Sequence, residues 1–484
     1  MSIHYRRASD LTVSRRVSPV GVKLKVVHRP LAFVAATLIA GAMLTWVAIM
    51  NGYPVIFGDS ARYLNGGILR YIPSEAPIFY GAFMIPLHLN GVSLWPVVAA
   101  QCLLLAYVIG ASLRALGLFE ERSFVLLAAF LALFTAAPWF TAFIMPDIFA
   151  PICVLAMFAL FRGWEGFAGL ERFVLAGLVL LALASHVTHI IVGLALVALF
   201  GALRLCGRPV SSAALLTVLP LPLVALGATV GINLIAKGRP IVTQDGPVFL
   251  LARTFADGPA YDYLRTHCGE RRWKVCERLE SLPRDSELFL WSPDKSVWSS
   301  TTSGAELRAE AAEIVAGTLR EHPIELLRAA IGNTLRQLVT FRAGVDFRRW
   351  AEIEGVLTLP GVVHRFFPQE FDSLMQGRQQ QGRLDATAAN YVYSAIVVMS
   401  AAGLLLLLLA LRERPDPGLA EFFLVVAVAL VVNAAATGAL SVVADRYQAR
   451  LVWLVPLAFA LSLLAHRRRL ASPADAAARP FTGG

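Results

Sequence analysis

The sequence predicts an all-α polytopic membrane protein with about ten transmembrane helices. Both termini are expected in the cytoplasm, with one large, mainly helical extracytoplasmic loop domain. Three observations predict this. Of 484 residues, 57% are hydrophobic and only 16% charged, with mean hydropathy +0.64; a soluble domain carries about a quarter charged residues. Apolar runs of roughly 20 residues, long enough to cross the hydrocarbon of a bilayer, recur along the chain. The short basic connections between these runs all fall on one side when the spans are counted.

The elements follow in order. Residues 1–30 form a basic cytoplasmic segment (Arg6, Arg7, Arg15, Arg16, Lys23, Lys25, Arg29). The apolar run 31–50 is longer than the roughly 7–15 residues of a secretory signal, so it reads as an uncleaved first span. Further spans are expected at 93–113, 123–140, 147–161, 173–187, 189–203 and 211–235, completing a seven-span module over 31–236. Spans at 391–411, 419–438 and 451–465 form a second module over 391–466, and 467–484 is a cytoplasmic tail. With the N-terminus inside, the inner connections hold Arg114 and Arg122, Arg162 and Arg172, Arg204 and Arg208, and Arg412 and Arg414, and the tail opens with Arg467, Arg468 and Arg469.

Residues 237–390 form the expected outer loop domain. They carry twenty basic and twenty acidic residues, so the whole net charge of +10 resides in the membrane modules and their flanks. The basic excess therefore reflects orientation and anionic lipid, and no nucleic-acid partner is expected. Cys268 and Cys276 lie close together in this segment and predict a disulfide in an oxidising compartment, the alternative being two unrelated free thiols; no second Cys or His pair stands near at zinc spacing. Ser303 and Glu306 suit a capping box, followed by Leu307, Ala311, Ile314 and Val315 at helical spacing. Pro323 suits the first turn of another helix, with the stripe Ile324, Leu327, Ile331, Leu335 and Leu338. That stripe is expected to pack on its own domain; the alternative is an amphipathic helix resting on the membrane, with Arg328 and Arg336 at the headgroups.

Ionisable residues near hydrocarbon are costly and are functional candidates for that reason. Most of those in this chain fall at one end of the predicted spans. Asp59 and Arg62 follow the first span, where either Asp59 or Ser60 caps a short amphipathic helix with Arg62 solvated, or Asp59 acts as a base or metal-site acid. Asp147 follows Pro146 at the start of a span, where an acid also favours the helix dipole. His186 and His189 lie three apart and suit phosphate, sugar or metal, or are satisfied interfacial histidines. Asp445, Arg446, Tyr447 and Arg450 open the last span. Arg446 and Arg450, four apart, suit a phosphate through their planar donor forks, the alternatives being an Asp445–Arg446 pair and a snorkelling Arg450.

An acid in the first outer loop just after the first helix (GDSARYL), a second outer-loop acid (PDIF) and short helices beside the membrane resemble the GT-C glycosyltransferases. The resemblance covers the architecture of residues 31–465. It implies a polyprenyl-phosphate-linked sugar donor, a glycan, lipid or protein acceptor, and Asp59 as catalytic base or metal-site acid supported by Asp147. Arg446 or Arg450 would hold the lipid phosphate, with Arg62, Tyr447, His186 and His189 nearby. A divalent metal on Asp59 and Asp147 is optional in that scheme. The implied location is a bacterial inner membrane with the site facing the periplasm. Two rivals are an O-antigen-ligase or polymerase-like enzyme, depending more on loop Arg and His, and a lipid or sugar transporter or flippase with a proton relay. Transport ranks lower, because no repeat is visible and the acids gather at one end.

Overall fold

The computed structural model describes residues 30–208, 210–300, 303–345, 347–352, 357–410 and 416–471. The basic N-terminal segment, the Arg412 and Arg414 connection and the tail beyond Ala471 lie outside the described residues. The described chain is helical, with no strand; its only bridge of strand type pairs Val55 with Phe143.

Among the described residues, eight helices are long and apolar enough to cross a membrane. They are α1 (Pro30–Asn51, with a turn at Leu44–Thr45), α3 (Trp95–Ala115), α5 (Pro146–Gly166), α7 (Val187–Leu205), α8 (Ser212–Lys237), α11 (Thr387–Leu407), α12 (Pro417–Leu440) and α13 (Asp445–Arg469). The other two expected spans are helical but short. At 123–140 lie α4 (Glu121–Phe134) and, after a break at Thr135, a helix at Ala137–Thr141. At 173–187 lies the 17-residue α6 (Gly169–Ser185), about 25 Å long at 1.5 Å per residue. The break at Thr135 has a local cause: its hydroxyl bonds back to the Leu131 carbonyl and accepts from the Ala137 amide, competing with the helix ladder.

The helix α5 is the hub. Nearly every residue from Ala136 to Phe161 is buried, with α3, α6, α7 and α12 packed around α5. A helix apolar on all sides belongs in such a centre. Its first turn carries Asp147. By contrast, α11 keeps most of its surface outward, as a peripheral span does.

At the start of α5 the chain is stitched from three separate segments. Asn51 at the end of α1 accepts from the Arg378 and Gln379 amides, and the Gln379 side chain pairs with both the N–H and C=O of Ile56. Val55 exchanges backbone bonds with the Ala142–Ile144 turn. The next helix, α2 (Gly58–Leu69), packs on a short helix at Phe79–Met84. Gly67 and Gly81 permit that approach: a Cβ on Gly67 would lie 2.6 Å from the Gly81 carbonyl oxygen.

Residues 237–390 divide between two cores. Residues from Val248 to Val315 form a separate apolar core, with Phe255, Leu264, Phe289 and Ile314 inside. Leu359, Val363, Phe367, Leu374 and Leu384 instead join the main core. The Cys268–Cys276 disulfide is present, with Cα atoms 5.6 Å apart, closing the turn that carries buried Trp273. The first expected stripe is also found: α9 (Gly304–Glu321) starts at Ser303, whose hydroxyl accepts from the Ala305 amide, and buries Leu307, Ala311, Ile314 and Val315. The second stripe corrects its expectation. In α10 (Pro323–Val339) the buried residues are Asn333 and Gln337; of the expected stripe, Ile324, Leu327, Ile331 and Leu335 face outward, joined by Val339, and Leu338 is half-buried.

Candidate functional site

The site forms where the first turn of α5 meets the α6–α7 junction and the α12–α13 junction. After α12, residues Ser441–Ala444 leave the helix, and the Gln337 side chain binds both the N–H and C=O of Ala444. Asp445 accepts from the Arg342 amide 2.7 Å away. Anchored there, α13 turns Arg450 inward. Arg450 does not snorkel: it is fully buried, and leaving such a cation in apolar surroundings demands charge and hydrogen-bond partners. Its Nη1 lies 3.3 Å from Asp147 Oδ1, and its Nη2 donates to Thr188 Oγ1 at 3.0 Å and Asn433 Oδ1 at 2.9 Å. Arg450 Nε is buried without a hydrogen-bond partner among the described residues.

One turn earlier, Arg446 Nε stands 3.9 Å from the same Asp147 oxygen. Its guanidinium lies 4.2 Å from the Phe57 ring centroid and 5.2 Å from that of Tyr447, whose ring also lies 5.3 Å from the Arg450 guanidinium. The Asp147 carboxylate is thus shared between two arginines in a nearly dry setting. Coulomb forces act strongly where water is excluded. The same two cations oppose a divalent metal at Asp147. Among the described residues, no three His, Cys, Asp or Glu side chains come together as a metal-holding group.

The histidines sit at the α6–α7 junction. His186 caps α7, its Nδ1 accepting from the Thr188 amide at 3.3 Å and lying 2.8 Å from Thr188 Oγ1. His189 Nδ1 lies 2.8 Å from the Ala182 carbonyl oxygen, which can only accept, so that nitrogen carries the proton. Its Nε2 is then a buried acceptor with no partner among the described residues. The two rings lie 5.1 Å apart. His186 is coupled to Arg450 through Thr188, so the pair belongs to the arginine cluster.

Asp59 stands beside this cluster rather than in it. The N-cap position of α2 is Phe57, whose amide donates to Ser60 Oγ, and Ser60 in turn donates to the Ile144 carbonyl. Asp59 is therefore not the cap. Its carboxylate is half-buried and pairs with Arg62 Nη1 at 3.2 Å, while Arg62 Nε reaches Glu75 at 3.2 Å. Burial alone would lower the Arg62 pKa, but Asp59 and Glu75 outweigh it and hold the guanidinium above its ordinary value. Tyr63 is buried near both groups, within reach of the charges of Asp59 and Arg62 and of Asp147 and Arg446. Burial, then the nearby Asp59 charge, pushes its phenol above the usual range, so it stays a neutral O–H. Tyr63 meets Tyr80 edge-on at 5.3 Å, and Tyr80 donates to Gln101, which ties down the Thr141 and Phe143 carbonyls.

Phe57, Asp59, Arg62, His186, Thr188, Arg446 and Tyr447 are half-buried. Sequence reasoning missed Thr188, Asn433, Glu75 and Tyr63. Asn433 carried a usable signal, since it is a lone amide inside the apolar run 419–438. Tyr63 and Thr188 carried none, because their place depends on contacts across the fold. The opposite ends of the same helices gather the basic connections: Arg162 pairs with Glu421 at 3.4 Å, Arg469 with Asp416 at 3.0 Å, and Arg114 with Glu171.

Comparison with protein-family models, with curated proteins and with solved structures finds no match to this chain.

Proposed function

We propose that this chain is an integral-membrane glycosyltransferase of GT-C type, moving a sugar from a polyprenyl-phosphate donor to an extracytoplasmic acceptor. The observation that carries the reading is the meeting of Asp147, Arg446, Arg450, His186 and His189 at one end of the bundle, with Asp59 on the adjoining helix. A lipid-phosphate donor stays in the leaflet while its head group seeks a cationic, partly dry pocket; two arginines sharing one carboxylate offer that. In this scheme Asp59 takes the proton of the acceptor hydroxyl. The hydroxyl oxygen then bonds to the anomeric carbon as the bond from that carbon to phosphate oxygen breaks. Arg446 and Arg450 stabilise the charge developing on the departing phosphate. Asp147 positions the two arginines, and Arg62 with Glu75 sets the orientation of Asp59.

The same reading takes α4 with the Ala137–Thr141 helix, and α6, as the two remaining crossings of a ten-span bundle. Both termini are then cytoplasmic, and the site faces the periplasm of a bacterial inner membrane. The arginine-rich helix ends opposite the site support that orientation.

The test is sugar transfer in membranes carrying D59N or R446A. The first is expected to abolish transfer at normal protein level, the second to raise the donor concentration needed for half-maximal rate. Full transfer by D59N would remove Asp59 as base. A ligase-like enzyme is the second reading, favoured by the buried, unpartnered Nε2 of His189. It predicts that H189A abolishes transfer while D59N leaves it intact.

A further inference from the structure

The helix α10 is inverted relative to a water-washed helix: its buried side chains are the amides Asn333 and Gln337, while five large apolar side chains face out. Asn333 donates to both Asp257 carboxylate oxygens, at 2.9 and 3.2 Å, and Gln337 holds Ala444. On the opposite face Ile324, Leu327, Ile331, Leu335 and Val339 are 53–74% exposed, a continuous stripe at helical spacing. Water on that stripe would hydrate five large aliphatic side chains with no compensating gain elsewhere.

What lies beside the stripe identifies its occupant. Asn333 abuts Gly438 at the C-terminal end of the membrane span α12, where a Cβ would come within 2.8 Å of the Asn333 carbonyl oxygen. Val431, two turns earlier on the same face of α12, is itself half exposed. The outward surface of the span therefore continues into the α10 stripe. Arg328 and Arg336, both exposed, flank it on the helix and can reach headgroups along their apolar stems.

We propose that α10, although too short and polar to be a span, lies in the bilayer at the site end of the bundle, its stripe against acyl chains. Its C-terminus would then brace, from the lipid side, the Ser441–Asp445 turn that launches Arg446 and Arg450.

The experiment uses the full chain in lipid nanodiscs. Exposed Cys206 is replaced by C206S, and an environment-sensitive fluorophore is placed singly through L327C, I331C, V431C or K295C. Surface positions were chosen so that folding is retained, checked by monodisperse elution. Lipids carrying a spin-labelled acyl chain are expected to quench I331C and L327C as strongly as the span control V431C, and to leave K295C unquenched. Quenching of I331C no greater than that of K295C, with water-like emission, would overturn the proposal. So would formation of I331C–I331C disulfides between copies with no lipid quenching, which would assign the stripe to a second copy of the chain.

Discussion

At the scale of single residues, the decisive group is Arg450. A fully buried guanidinium is tolerable only with a counter-ion, and Asp147 is the nearest. Removing one member of such a pair leaves an uncompensated buried charge, at about 3–5 kcal/mol. D147A is therefore expected to lower the thermal midpoint of the purified protein sharply, whereas D147A combined with R450M recovers much of the loss. If the double variant is no more stable than D147A, the pair is not what matters there. Asp59 behaves differently because it is half-buried and has solvent at hand. D59N gives up only the partly exposed pairing with Arg62, so stability is expected to change by about 1 kcal/mol or less, and abolished transfer belongs to chemistry rather than folding.

At the scale of elements, two short devices hold the outer structures in place. Gly67 and Gly81 let α2 sit against the Phe79–Met84 helix at backbone contact. G67V drives a branched side chain into the Gly81 carbonyl, and overpacking of this kind costs about 1–3 kcal/mol. A lowered midpoint together with impaired transfer is expected, because α2 also carries Asp59 and Arg62; an unchanged midpoint would refute the close packing. The Cys268–Cys276 bond closes a loop with a sequence separation of 8. Loop-closure entropy for so short a ring is worth about 2–3 kcal/mol, and C268S with C276S is expected to destabilise the Val248–Val315 core selectively, read as faster proteolysis within that segment.

At the scale of the whole molecule, the native cysteines report the topology. Cys102 and Cys153 are buried, Cys206 is exposed, and Cys268 and Cys276 are bonded. In intact cells a membrane-impermeant maleimide is expected to label nothing until an impermeant reductant frees Cys268 and Cys276. Permeabilised, unreduced cells should show label at Cys206 alone. Label at Cys206 in intact cells would reverse the proposed orientation.

The helical, membrane-spanning character of the chain was legible before any coordinates, because a bilayer imposes length and apolarity locally on each run. The disulfide was legible as one of two readings: two cysteines with a sequence separation of 8 in an oxidising compartment suit a bond, with two free thiols the alternative that the structure removes. Short segments such as 123–140 and 173–187 were less so, since Thr135 interrupts one helix and α6 ends at the His186 cap.

The side-chain partnerships were decided by tertiary structure alone. Asp147 and Arg450 are separated by 303 positions, and nothing local to either says that one neutralises the other. Nor does the α10 stripe reveal in sequence whether it points to a core or to lipid, since helical periodicity fixes a face but not what the face meets. The sequence determined which parts of this protein belong with hydrocarbon; packing around α5 determined which charges meet there, because a buried charge is set by its neighbours in space.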